Sequence, residues 1–279
     1  MSDVLFLASE PLGSVPSPAA IVQGVPYDGG VSWRPGTAEA PRVIREASDS
    51  IESFSPLLRG DLEDIALADA GDVVVGPLRA AAVIDRIAER AEQLAHTGAL
   101  LVTIGGDHSI SMGTSRGLGA AHPDLAHVVF DAHLDMREDY EGDRYSHACG
   151  TRRMAQAGPT CVLGVRSGSR DEFADADAML VAWSDDVAMP DAMRAAIDDR
   201  PVFVSVDLDV LDPSILPGTG NPEPAGVAYR DLRAALLALK DARVVGIDFC
   251  EVSPPIDASG LSAIVAAGLI RDTIIALVR

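Results

Sequence analysis

The densest group of potentially reactive side chains in the sequence lies in VVFDAHLD, where Asp131, His133 and Asp135 occupy every second position as an apolar segment ends. In a fully extended chain the two outer carboxylates would lie roughly 13 Å apart, which is too far for one metal centre. The chain must therefore curl after Asp131 if the three side chains are to converge. A curl of this kind would create a site for a metal ion.

Two further apolar segments end in similar groups. SVDLDVLDP presents Asp207 and Asp209, and two carboxylates at one strand end repel each other unless a cation lies between them. IGGDHS presents Asp107 and His108 after a glycine pair that we expect to let the chain turn sharply. Each segment alone would be weak evidence, whereas three in one chain favour a metal site.

The candidate ligands are imidazoles and carboxylates, without a thiolate: His108, Asp131, His133, Asp135, Asp207 and Asp209. This set suits Mn²⁺ or a similar divalent ion better than a structural zinc ion. Because four carboxylates carry more charge than one divalent ion neutralises, we expect two ions, about 3.5–4 Å apart, that generate a hydroxide nucleophile at neutral pH.

Short segments rich in valine and isoleucine recur along the chain, a pattern typical of parallel strands buried on both faces. They predict strands at 20–27, 99–106, 125–133, 161–167, 179–184, 201–210 and 243–252, with amphipathic helices such as 78–96 and 229–240 between them. The alternation predicts a single α/β domain over 1–279. It would have three layers (αβα), with a mostly parallel, doubly wound sheet between two layers of helices. Ligands bind such sheets at the carboxyl ends of the strands.

Composition limits the partners. The chain has 42 acidic and 22 basic residues and a net charge of −20, which argues against nucleic acid and favours a cationic or neutral small molecule. The apolar segment 261–278 contains Arg271 and Asp272, so we expect a buried helix and no membrane span. Three cysteines without a CxxC pair and a first segment without a positively charged start predict a reducing, cytoplasmic location.

The motifs GGDH, DAHLD and SVDLDVLDP, in this order, resemble the three metal motifs of the ureohydrolases, the arginase and agmatinase family. GVPYDGGVSWRPGTAEAPRVIREAS at 24–48 is similar to the N-terminal segment of that family, and LPGTGNPEP at 216–224 is similar to its agmatinase branch. The resemblance covers nearly the whole chain and implies an arginase-like fold with two Mn²⁺ ions per subunit and no organic cofactor.

The same resemblance implies how the ligands divide. One ion would be held by His108, Asp131, Asp135 and Asp207, and the other by His133, Asp131, Asp207 and Asp209, so that Asp131 and Asp207 bridge. Asp107 is not a ligand in this scheme, and we expect it to accept supporting hydrogen bonds.

The resemblance also implies a reaction, in which hydroxide attacks a guanidinium carbon and yields urea and an amine. Asp135 would orient the hydroxide and pass on its proton, and Glu251 would bind the guanidinium group. His147 would deliver a proton to the departing amine from a mobile loop. The charged stretch 137–153 around His147 has the composition of a lid.

The substrate is predicted less sharply. The stretch MREDYEGDRYSHAC lacks the Asn- and Ser-containing loop with which arginases hold their substrate, so we favour agmatine over arginine. Acidic residues of the lid would attract the far ammonium of agmatine, namely Asp139, Glu141 and Asp143. Basic residues would instead hold the carboxylate of guanidinobutyrate or another guanidino acid, namely Arg144, Arg152 or Arg153.

Two alternatives stay open: hydrolysis of formimidoylglutamate, and a non-catalytic, metal-binding role. The non-catalytic role is disfavoured because every ligand position, together with Glu251 and His147, is filled. The resemblance further implies a homo-oligomer, a trimer or a hexamer, and the apolar C-terminal helix is a candidate surface for its interface.

Overall fold

The computed structural model describes residues 4–76 and 78–278, so Pro77 and both ends of the predicted 1–279 domain lie outside the described residues. The strands of this part of the chain are β1 Glu10–Pro11, β2 Ala20–Gly24, β3 Phe54–Ser55, β4 Gly60–Asp61, β5 Leu67–Asp72, β6 Leu100–Ile104, β7 Ala126–Phe130, β8 Thr160–Leu163, β9 Ala182–Ser184, β10 Pro201–Asp207 and β11 Arg243–Cys250. Nine of them form one parallel sheet in the order β1-β5-β2-β6-β11-β10-β7-β8-β9, and β3 pairs with β4 separately.

Helices cover both faces of the sheet. They are α1 Ala40–Ser48, α2 Ala80–Ala95, α3 Ile110–Ala121, α4 Gly150–Ala157, α5 Arg170–Met179, α6 Asp191–Ile197, α7 Tyr229–Leu237 and α8 Leu261–Leu277. Alternate strand residues belong to different cores, because successive side chains of a strand point to opposite faces. Val128 packs in the core formed with α1, α7 and α8, whereas Val129 packs in the core formed with α5 and the end of α2. The predicted three-layer α/β architecture is confirmed.

Each of the seven predicted strand segments contains a strand of the sheet. The sequence reading missed β5, which is LADAGD and pairs with β2 and the short β1. Its second half is small or acidic and only partly buried, so the segment does not show the continuous apolar pattern of the central strands. The predicted helices 78–96 and 229–240 correspond to α2 and to α7 with the short turn that follows it.

The centre of the sheet brings the polar strand ends together. The strands β6, β11, β10 and β7 are consecutive neighbours, although they are far apart in the chain. Their last residues are in register, since Phe249 pairs with Ile104, Val206 pairs with Phe130, and Asp207 pairs with Cys250. The segments that follow these four strands therefore start from one edge of the sheet.

The C-terminal helix α8 is buried, as predicted. It packs against α1 and α7 of the same chain, and most of its residues are inaccessible to solvent. Its apolar surface is thus largely covered within one chain, apart from the exposed Leu261 and Ile264 near its start, and a subunit interface on this helix stays a prediction. Among the described residues, no helix is both long and apolar enough to cross a membrane.

Candidate metal centre

The two aspartate-rich segments curl by the same local device. After β7 the backbone N–H of His133 donates a hydrogen bond to Asp131 Oδ1 over 2.6 Å, and after β10 the N–H of Asp209 donates to Asp207 Oδ1 over 2.8 Å. A side chain that accepts from the backbone two residues later folds the chain into a tight turn. The curl expected after Asp131 is therefore present, and β10 ends in an equivalent turn.

Two residues at this edge have left-handed backbone conformations. The φ angle is 50° at Asp135 and 63° at Glu251. For residues other than glycine this conformation is uncommon, and strained backbone of this kind costs about 1–3 kcal/mol and concentrates at functional sites. The surrounding structure holds Asp135 and Glu251 in orientations that relaxed strand ends would not give.

The glycine pair before His108 is needed for close packing, not for the sharp turn expected from the sequence. Neither Gly105 nor Gly106 has a positive φ angle. A side chain at Gly106 would instead overlap the backbone carbonyl of Tyr27. Glycine is required because the loop after β2 passes directly against the strand end. That contact is completed by Asp107, whose N–H donates to the Tyr27 carbonyl.

The first group of candidate ligands surrounds the buried ring of His108. Its Nδ1 lies 3.1 Å from Asp131 Oδ2, 3.1 Å from Asp135 Oδ2 and 3.3 Å from Asp207 Oδ2. His108, Asp131, Asp135 and Asp207 are all almost inaccessible to solvent. One nitrogen and three carboxylate oxygens from the ends of β6, β7 and β10 thus converge on a single point.

The second group lies on the other side of Asp131. His133 Nδ1 is 3.0 Å from Asp209 Oδ2 and 3.5 Å from Asp131 Oδ1. Asp131 therefore faces His108 with one oxygen and His133 with the other. All six ligands predicted from the sequence are brought together in this cluster, and Asp131 lies at its centre.

The raised pKa values of two buried aspartates show that the carboxylates of this cluster repel one another. Burial, together with the charge of Asp131, raises the pKa of Asp135 to about 6. Burial and the charges of Asp209 and Asp131 raise the pKa of Asp207 well above its usual range. Burial opposes ionisation of Asp131 as well, but the neighbouring His108 and His133 lower its pKa.

Asp131 Oδ2 is buried without a hydrogen bond to any described residue. Buried carboxylate oxygens are normally paired, and paired carboxylates repel unless a proton or cation separates them. The donor set of imidazole nitrogens and carboxylate oxygens fits hard or borderline divalent cations. The residues present therefore fit a binuclear metal centre.

A cysteine also approaches this cluster. Cys250 Sγ lies within ligand distance of His108 and Asp207, but it contacts the Val206 carbonyl at 3.5 Å. Burial, followed by the charge of Asp207, raises the pKa of this thiol well above its usual range. The thiol donates to the Val206 carbonyl, and Cys250 packs as a small, fully buried side chain.

Glu251 and His147 form a pair beside the cluster. Glu251 Oε1 accepts from His147 Nδ1 at 2.9 Å and from the backbone N–H of His108 at 2.8 Å, whereas Oε2 is buried without a hydrogen bond to a described residue. Burial lowers the pKa of His147, but Glu251, Asp135 and Asp107 outweigh it and raise the value to about 9. Asp107 accepts from the N–H groups of Gly30 and Ser109, the supporting role expected of it.

A cavity of about 430 Å³ opens onto the cluster. Its inner wall is formed by four candidate ligands, His133, Asp135, Asp207 and Asp209, together with His147. Its outer wall is formed by residues that were not predicted from the sequence as site residues: Ser32, Arg137, Tyr140, Ala148, Ser167, Gly168, Ser169, Glu172, Asn221 and Glu223. Glu251 is not part of the wall and lies behind His147. The cavity residues come from four loops, and a single sequence offers no signal that joins them.

The six charged loop residues expected to face the substrate do not line this cavity: Asp139, Glu141, Asp143, Arg144, Arg152 and Arg153. Two of them are engaged elsewhere, since Arg152 pairs with Asp175 and Glu138, and Arg153 contacts Glu138. Arg144 and Arg153 line a separate cavity of about 370 Å³. That part of the sequence reading is wrong, because the loop directs Arg137 and Tyr140 inward instead.

The charged residues of the outer wall differ in whether an oppositely charged side chain already neutralises them. Arg137 lies 3.3 Å from Glu172 and stacks over the ring of Tyr140, so its charge is already paired. Glu223 accepts a hydrogen bond from the Ser167 hydroxyl at 2.8 Å and lies 3.7 Å from His133 Nε2, but it has no arginine or lysine partner among the described residues. The outer wall therefore keeps one negative charge that a ligand can neutralise.

Comparison with known proteins places the chain in a family. The model of the Arginase family matches residues 18–276. The chain belongs to this family. It is 35% identical to an agmatinase from Bacillus subtilis over 288 residues, which covers 100% of this chain and 98% of the relative. It is also 32% identical to a guanidinopropionase from Pseudomonas aeruginosa over 89% of this chain and 83% of the relative.

The fold agrees with solved structures of the family. The agmatine ureohydrolase of Thermoplasma volcanium superposes with a TM-score of 0.83 at 33% identity, over 94% of this chain and 90% of that one. The ureohydrolase resemblance seen in the sequence motifs is thereby confirmed, together with the arginase-like fold.

In this member of the Arginase family, a buried relay orients His108. His108 Nε2 lies 2.9 Å from Ser205 Oγ, which in turn donates to Asp248 Oδ1 at 2.8 Å. Because the Ser205 hydrogen is used on Asp248, Ser205 accepts the proton of His108 Nε2. This tautomer leaves the lone pair on Nδ1, the nitrogen that faces the carboxylates.

We expect Ser205→Ala to weaken Mn²⁺ binding about tenfold, because outer partners that orient a ligating histidine contribute about this much to metal affinity. Equilibrium dialysis with Mn²⁺ measures the dissociation constant directly. Ser111→Ala is the matched control, since the Ser111 hydroxyl contacts Ser205 but not His108. Equal affinities of the two variants would contradict the relay.

Proposed function

We propose that this chain is a dimanganese amidinohydrolase that cleaves agmatine to putrescine and urea. The observation that carries the proposal is the convergence of two histidines and three further aspartates around Asp131, at the base of a cavity with an acidic outer wall. Membership in the Arginase family and the agmatinase relatives support hydrolysis of a guanidino compound.

In the proposed centre, His108, Asp131, Asp135 and Asp207 would hold one ion, and His133, Asp131, Asp207 and Asp209 would hold the other. The positions of the two Asp131 oxygens, one toward each histidine, support a bridging role. When bound, the ions supply a hydroxide nucleophile at neutral pH.

The remaining residues would bind substrate and move protons. Binding of the guanidinium group by Glu251 stays a prediction from the sequence: Oε2 is free of hydrogen bonds to described residues, since Oε1 is engaged by His147 and the His108 N–H, but Glu251 does not line the cavity. Asp135 takes a proton during attack and transfers it to the leaving nitrogen. His147 lines the cavity and protonates the departing amine.

The outer wall supports agmatine over a guanidino acid. A substrate that extends past His133 meets the Glu223 carboxylate, which no arginine or lysine of the described residues neutralises and which attracts an ammonium group and repels a carboxylate. Arg137 would have to leave Glu172 before it could bind an acidic substrate. A cytoplasmic location and a trimeric or hexameric assembly stay predictions from the sequence.

The proposed activity is tested with Mn²⁺-loaded protein and a panel of agmatine, arginine, guanidinobutyrate, guanidinopropionate and formimidoylglutamate. Urea release, or glutamate release for formimidoylglutamate, is measured for each compound. We expect the highest kcat/KM for agmatine, because it alone in the panel carries a cationic tail without a carboxylate. Preference for a guanidino acid would contradict the substrate assignment, and no turnover of any compound would favour the non-catalytic role.

Glu223→Gln is expected to raise the KM for agmatine about tenfold with little change in kcat, since a hydrogen bond to a charged group is worth about 1.5–3 kcal/mol. Steady-state kinetics with agmatine and guanidinobutyrate measures the effect. Loss of the negative charge should leave the KM for guanidinobutyrate unchanged or lower it. Arg137→Gln is the opposite-charge control on the same wall, and an equal KM increase for agmatine in both variants would contradict this role of Glu223.

A further inference from the structure

Ser32 contacts the catalytic histidine proposed above with two groups at once. It lies in the loop between β2 and α1, more than a hundred residues from His147 in the chain. Its hydroxyl oxygen is 2.9 Å from His147 Nε2, and its backbone N–H donates to the same nitrogen at 3.1 Å. Both residues line the cavity.

In the neutral form of the His147 ring, these contacts fix which nitrogen carries the single proton. A backbone N–H can only donate, so Nε2 must present its lone pair to Ser32. The proton then lies on Nδ1, which donates to Glu251 Oε1 at 2.9 Å. The charged groups that act on the ring are the carboxylates of Glu251, Asp135 and Asp107. Carboxylates accept hydrogen bonds, so none of them requires a lone pair on Nε2 as the Ser32 N–H does.

The loop that carries Ser32 is held in place on its far side. The guanidinium of Arg34 donates to the carbonyls of Gly220 and Thr219, at 3.0 and 2.7 Å. Asn221 Nδ2 donates to the Ser32 hydroxyl at 3.2 Å. Because Ser32 Oγ accepts from Asn221, its own hydrogen is free to donate to His147 Nε2.

We propose that Ser32 is a positioning residue for His147, which fixes the tautomer and the direction of the ring toward bound substrate. This role rests on the proposed amidinohydrolase function. At neutral pH the pKa of about 9 leaves the ring doubly protonated, so His147 can give its Nε2 proton to the leaving amine. The Ser32 N–H and the Glu251 carboxylate then stabilise the neutral ring that remains, with its single proton on Nδ1. The N-terminal segment, which supplies no metal ligand, thereby completes the catalytic arrangement.

The connectivity Ser32, His147 and Glu251 also matches the order of groups in serine hydrolases, where the serine is the nucleophile. The backbone N–H of Ser32 argues against that role here. It already occupies part of the Nε2 lone pair that would have to accept the serine proton. The geometry therefore favours orientation of His147 over attack by Ser32.

Ser32→Ala removes the hydroxyl and keeps the backbone N–H. We expect kcat for the best substrate of the panel to fall about tenfold, the effect of one lost hydrogen bond, with KM within about twofold of wild type. Ser32→Thr should restore most of kcat because it restores the hydroxyl. Ser146→Ala is the matched control, since Ser146 anchors the same loop to the Gly30 carbonyl without touching the ring, and its loss of kcat should be smaller.

Two measurements do not depend on turnover of any substrate. The ¹⁵N chemical shifts of His147 in metal-free protein, recorded above the titration of the ring, should show a protonated Nδ1 and an unprotonated Nε2. A fluorophosphonate probe should leave Ser32 unlabelled. The opposite tautomer, covalent labelling of Ser32, or an alanine variant as active as the threonine variant would overturn the proposal. Failure of the substrate panel alone would instead overturn the proposed function.

Discussion

Mutual repulsion among buried carboxylates is the constraint on which the rest of the structure depends. Asp131, Asp135, Asp207 and Asp209 crowd against two histidines at one edge of the sheet, where little water reaches them. The raised pKa values of Asp135 and Asp207 express this repulsion, because burial and neighbouring charge both oppose ionisation. Such a cluster is stable only when cations or protons lie between its carboxylates, and the strand ends hold the carboxylates close enough for a cation to bind between them.

The sheet supplies the rigidity that this crowding requires. Four neighbouring parallel strands end in register, and two turns closed by Asp131 and Asp207 redirect the chain immediately afterwards. Left-handed backbone at Asp135 and Glu251 adds local strain that the two surrounding cores must offset. The loop after β2 places the Ser32 hydroxyl and N–H against His147, and contacts with Thr219 and Asn221 hold that loop in place.

The sequence predicts the inner half of the site well and the outer half poorly. Asp131 or Asp207 follows a continuous apolar strand, and parallel strands deliver such ends to one edge, so the pattern itself carries the information. Ser32 and Glu223 have no such pattern, because loops that meet only in space set their contacts. Segment β5 was missed for a related reason: its small and acidic residues hide a strand near the edge of the sheet.

The central claim, that Asp131 joins two metal ions into one catalytic centre, is tested most directly by counting bound Mn²⁺ per chain alongside urea release. Wild-type protein should hold two ions and release urea from agmatine. Asp131→Ala should hold fewer than two and lose turnover, whereas Asp139→Ala, on the exposed loop outside the cavity, should keep both. An Asp131→Ala protein that binds two ions and keeps full activity would contradict the account.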